Sequence, residues 1–132
     1  MKMIADANVL LRFVLGDDPE QYKLALDTME KSEGVVVTNH AICEMAWVLR
    51  SRYGVPRSAI AATIRGLLDT RKVVLDSAAV NAGLTTLDSG ADFADGVIAY
   101  EGRWLGGETF VSFDKKAVAA IAKQGMKAEL LG

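Results

Sequence analysis

Apolar residues fall along this chain in two rhythms. Short unbroken runs such as "VVVT" and "ETFVSFD" are rich in β-branched and aromatic residues and too brief for a helix. Longer stretches between them repeat their apolar positions every three or four residues, as one face of a helix does. Met3–Ala5 reads as a short buried strand, followed by a helix over Val9–Leu15 that stops at Gly16. "GDDPEQYKLALDTMEKSEG" predicts a second helix, with Asp17 or Asp18 as cap, Pro19 in its first turn and Gly34 past its end. Val35–Thr38 suits a central strand. Asn39–Tyr53 predicts a helix with Ile42, Met45, Ala46 and Leu49 on one face and Gly54 as its stop. Ser58–Leu68, Ala78–Leu87 and Ala94–Leu105 predict three more helices, with "KVVLD" as a third strand and "DSGADF" as a turn. "ETFVSFD" is a strand ending on Asp114; a helix over Lys116–Lys123 and an edge strand over Ala128–Leu131 complete the pattern.

Short apolar strands alternating with helices indicate an α/β chain of three layers, α/β/α, with a central parallel sheet. Its 132 residues suit one domain with one core. A content of 51% hydrophobic and 24% charged residues predicts a folded chain. The formal net charge of −2 argues against a protein that coats nucleic acid through overall charge, and leaves room for a local basic patch. Cys43 is the single cysteine, which excludes an internal disulfide and a thiolate metal site. No apolar run approaches the roughly 18 residues of a spanning helix, and no signal-peptide pattern opens the chain. The expected setting is the cytoplasm, without membrane contact.

Four acids stand out by position. Asp6 interrupts the apolar opening at the end of the first strand, where a carboxylate is costly to bury without a partner or a metal. Asp114 ends the last long strand, Glu44 lies in the helix after the second strand, and Asp95 lies in the first turn of the helix begun by "FADGVIAY". The carboxyl ends of parallel strands open onto one rim, the ligand-binding edge of open α/β folds. Carboxylates gathered there repel one another unless a cation sits among them. An all-oxygen set suits Mg²⁺ or Mn²⁺, which activates water and stabilises charge in phosphodiester hydrolysis. Asn8 would orient Asp6 from behind. Thr38, Asp92 and Ser112 are accessory candidates.

"IADANVLLRFVLGDDPEQ", "TNHAICEMAWVLRSRYGVPRS", "GADFADGVIAY" and "FVSFDKKA", in that order and spacing, resemble the PIN-domain ribonucleases, and most of all the VapC-type toxins of toxin–antitoxin pairs. The resemblance runs from Met3 to about Ala122. It implies a PIN-like domain that acts as a metal-dependent endoribonuclease on RNA, is inhibited by a cognate antitoxin and forms a homodimer. It puts the metal-binding, catalytic roles on Asp6, Glu44, Asp95 and Asp114. Two positions depart from the family's pattern. Ala7 stands where Thr is usual, which removes a hydroxyl from the acidic site, and Gly96 stands where Ala is common, at a cost in helix propensity of up to about 1 kcal/mol.

Each acid has a plainer reading. Asp6 before "ANVLLRF", Asp114 before "KKAVAAIA" and Asp92 before "FAD" are all good N-caps, and Thr38 caps as readily as it binds. His40 reads as a surface residue, Cys43 as a small core residue, and Trp47 and Trp104 as packing residues. Arg50, Arg52, Arg57, Arg65, Arg71 and Lys72 form either a solvated face or a track for RNA phosphates. Arg12, Lys115 and Lys116 lie near the acids in sequence and are candidates to hold the substrate backbone. Leu11, Phe13, Val14, Leu24 and Leu26 exceed what one buried face requires, so they suit either packing or a groove for an antitoxin helix. A receiver-type signalling domain, phosphorylated on Asp76, is an alternative that leaves Glu44 and Asp95 unexplained. A phosphatase would need an acid at Asn8. A non-catalytic RNA- or protein-binding module is the remaining alternative.

Overall fold

The computed structural model describes residues 1–132. Five short strands alternate with seven helices in the order β1 (Lys2–Ile4), α1 (Ala7–Leu15), α2 (Pro19–Lys31), β2 (Gly34–Val36), α3 (Asn39–Ser51), α4 (Arg57–Asp69), β3 (Val73–Val74), α5 (Ser77–Asp88), α6 (Phe93–Trp104), β4 (Thr109–Ser112), α7 (Lys115–Lys123) and β5 (Lys127–Leu130). This is the α/β alternation that the apolar pattern predicts, with every strand pair parallel. The strands hydrogen-bond in two groups, β1-β2-β3 and β4-β5, where a single ladder was expected.

Helix starts follow local chemistry. Asp6, Asp18, Thr38, Asp76 and Asp114 each accept a backbone N–H of the following first turn. Gly16 ends α1 in the left-handed region at φ +60°, which glycine adopts without a Cβ clash. Capping also explains two shortened strands. "KVVLD" contributes only Val73 and Val74, and the strand of "ETFVSFD" stops at Ser112, because Asp76 and Asp114 serve as N-caps. Gly34 lies beyond α2, as expected, and opens β2; Ser32 ends the helix, and the Lys72 ammonium donates to the carbonyls of Glu30 (2.7 Å) and Ser32 (3.0 Å) there.

Met3 pairs with Val35 and Val35 with Val73, so alternate residues share a face. Val35, Val37 and Ala5 are buried in the main core with Leu10, Ile42, Met45, Ile60, Ile64, Val80, Leu84, Phe93 and Val97. On the other face Ile4 and Val74 are exposed. No helix is long and apolar enough to cross a membrane.

Two glycines bring α5 and α6 together. A Cβ at Gly83 would lie 2.5 Å from the Phe93 ring, and one at Gly96 would collide with the Ala82 carbonyl, the Thr86 hydroxyl and the Gly83 Cα. Gly96 is therefore a packing requirement in this chain, and its cost in helix propensity is offset by close contact. A smaller core of Ala99, Phe110, Ala117 and Ile121 joins α6 to β4 and α7. Thr86, fully buried, donates to the Ala82 carbonyl (3.0 Å) and accepts from the Gln124 amide (2.9 Å), which ties α5 to the end of α7.

Candidate metal centre

α6 begins at a point where no side chain caps it. Asp92 occupies the N-cap position with extended backbone, yet its carboxylate accepts no N–H of the first turn. It lies 3.6 Å from the Arg57 guanidinium instead. Asp95, one turn on, is half-buried. Asp114 approaches from the β4–α7 corner; one of its oxygens accepts from the N–H groups of Lys116 (2.9 Å) and Ala117 (3.3 Å). Carboxylate oxygens of Asp92, Asp95 and Asp114 lie within 4.8 Å of one another.

That arrangement is electrostatically unfavourable by itself. Burial raises the pKa of Asp95 above the ordinary carboxylate value; the negative charges of Asp92 and Asp114 push it further, and a backbone hydrogen bond at Asp92 opposes them. The positive end of the α6 dipole offsets part of the repulsion. A hard divalent cation would offset far more, and a donor set made only of carboxylate oxygens is the set that Mg²⁺ or Mn²⁺ accepts. The residues present fit such an ion.

The other candidates have these surroundings. Asp6 is exposed, and its carboxylate accepts the Val9 N–H at 2.9 Å as the cap of α1. It lines a separate cleft with Asn8, Arg12 and Gln21. Glu44 is exposed on α3. Neither carboxylate belongs to the group of three. Asp95 and Asp114 thus come together with Asp92. β1, which leads to Asp6, and β4, which leads to Asp114, belong to different hydrogen-bonded groups of strands. Thr38 acts as a cap, its hydroxyl accepting the Ala41 N–H at 3.1 Å. Ser112 supports the cluster indirectly, because its hydroxyl accepts the Asp114 N–H at 3.0 Å.

His40 is exposed, as expected. Cys43 is half-buried with its thiol pushed up to about 11, first by burial and then by Glu101, so it stays protonated and inert at neutral pH. Trp47 and Trp104 differ from the expected packing role: they are 62% and 77% exposed. Much of the basic track is occupied internally. Lys72 closes α2, Arg65 pairs with Asp88, Arg57 with Asp92, and Arg50 donates to the Val55 carbonyl; outside that track, Arg12 pairs with Asp17. Phe13 stacks on Tyr22 at 6.0 Å, while Leu24 on the neighbouring helix is exposed. Asp76, the residue on which the receiver alternative depends, caps α5 by accepting the Ala79 N–H at 3.1 Å.

The residues least visible in sequence were Thr86 and Gln124, neither of which has a motif of its own; Gly96 stood out only as a departure from the family pattern and Arg57 only as one of a run of basic residues. Asp92 carried a signal, since a carboxylate three residues before a candidate ligand stands on the same helix end. The PIN domain profile matches residues 3–123, so the chain belongs to the PIN domain family, whose fold is that of metal-dependent nucleases. No curated protein matches the chain in sequence.

Proposed function

We propose that this chain is a Mg²⁺- or Mn²⁺-dependent endoribonuclease of the VapC toxin type, working in the cytoplasm as a homodimer under the control of a cognate antitoxin. The observation that carries the reading is the meeting of Asp92, Asp95 and Asp114 within 4.8 Å in a PIN domain. A divalent ion held there would stabilise the charge that develops on a phosphodiester and lower the pKa of water. The chain's own part is to hold hard oxygen donors at fixed spacing, with the Arg57 guanidinium beside Asp92.

The proposed ligand set is Asp6, Glu44, Asp95 and Asp114, with Asp92 as an added oxygen donor. Asp95, Asp114 and Asp92 have geometric support; Asp6 and Glu44 rest on the family motif alone. The test is RNA cleavage by purified protein with Mn²⁺ or Mg²⁺, with and without chelator. Asp95→Asn and Asp6→Asn are each expected to lose at least 100-fold in rate, and Asp92→Asn about ten-fold. Undiminished cutting by Asp95→Asn would overturn the site, and undiminished cutting by Asp6→Asn would remove that residue from the set. No metal-dependent cutting of any RNA by folded, partner-free protein would favour a binding-only module.

A further inference from the structure

Beside the Asp92 and Asp95 carboxylates lies a cavity of about 180 Å³, lined by residues of α3, α4 and the start of α6. Ile60 and Phe93, both buried, give it an apolar lining. Trp47, Arg50 and Arg57 line it as well, and Trp47 is 62% exposed. The Arg57 contact with Asp92, at 3.6 Å, is long for a hydrogen-bonded pair. Its Nε–H is enclosed without any partner. An enclosed donor without an acceptor costs free energy until a ligand supplies one.

We infer that this cavity holds a purine base of the RNA strand next to the scissile phosphate, guanine in preference to adenine; the inference rests on the nuclease reading above. A planar base has two apolar faces and a polar edge, and the cavity pairs apolar walls and an indole with guanidinium donors. Guanine presents N7 and O6 as two adjacent acceptors to an arginine fork, whereas adenine presents N7 beside an amino group. Arg50 donates one N–H to the Val55 carbonyl at 3.3 Å and keeps its other donors for the adjoining phosphate. The volume suits one base and is too small for a partner helix, whose apolar side chain would also leave the Arg57 donor unmatched.

The protein has two tryptophans, so a Trp104→Phe background makes Trp47 the sole indole reporter. Its fluorescence is followed while GMP, AMP and UMP are added in the presence of chelator. Saturable quenching is expected, tightest for GMP and weakest for UMP. Arg57→Gln should abolish the preference for GMP over AMP. Trp47→Ala, at an exposed position, should weaken GMP binding about ten-fold by calorimetry. Absence of saturable quenching, equal binding of UMP and GMP, or a response to an added protein partner alone would overturn the inference. RNA cutting without nucleotide binding would overturn it and leave the nuclease reading standing. GMP binding by a protein that cuts no RNA would remove the nuclease reading and keep the base site.

Discussion

Two corners of the molecule are built alike and end differently. At the first, β1 leads to Asp6, which caps α1 through the Val9 N–H; at the second, β4 leads to Asp114, which caps α7 through the N–H groups of Lys116 and Ala117. Both acids are exposed and both satisfy a helix start. Asp114 has two other carboxylates, those of Asp92 and Asp95, within 4.8 Å. An acid at a strand–helix corner is therefore a cap by default, and it becomes part of a charge cluster only when another element is packed against it. Here that element is α6. Its start carries Asp92 and Asp95, its Gly96 packs against α5, and its Ala99 shares a small core with Phe110, Ala117 and Ile121 near the Asp114 corner.

The largest expected effect on this difference comes from pushing α6 away from α5. Gly96→Ala places a methyl group against backbone atoms that have no rotamer to change, so it should lower unfolding stability by about 2–3 kcal/mol in denaturant titrations. Gly102→Ala, in the same helix but facing open space, is the control, and it should gain up to about 1 kcal/mol from helix propensity. Equal behaviour of the two variants would show that close packing does not set the position of α6.

A smaller loss is expected where α5 is tied to α7. Thr86→Val keeps the shape, removes the hydroxyl that accepts from Gln124, and should cost about 1–2 kcal/mol by urea unfolding. It should also weaken Mn²⁺ binding by calorimetry, because Asp114 stands at the other end of α7.

The smallest effect is in pH dependence without metal. A carboxyl whose pKa is raised on folding binds its proton more tightly folded than unfolded, so stability falls as pH rises from its unfolded value through its folded one. Asp95 is such a group, with burial and the charges of Asp92 and Asp114 as the causes. The melting temperature of the chelated protein should therefore fall over the pH range just above the ordinary carboxylate value. Asp95→Asn should flatten that slope and raise the neutral-pH melting temperature by a small amount. Asp6→Asn should change the slope far less, because Asp6 is not among the charges that raise Asp95. A slope that Asp6→Asn flattens as well would place the two corners in electrostatic contact and erase the contrast between them.

The alternation of strands and helices, most helix starts and the identity of the acids were legible in the sequence, because capping, helical periodicity and β-branched runs are local chemistry. The inward face of α3, with Ile42, Met45, Ala46 and Leu49 buried, follows from residue spacing alone. Strand pairing was not legible in the same way. Nothing in three- and four-residue strands states whether β1 and β4 share a ladder, and in the fold they belong to different groups. Gly96 illustrates the same limit: as a letter in a helix it is a weak helix former, and only the α5 backbone beside it makes it necessary. The sequence by itself determined which side chains carry charge and which backbone groups they cap. The tertiary structure decided which of those charges stand close enough to need a cation, because Coulomb repulsion depends on distances between elements far apart in the chain.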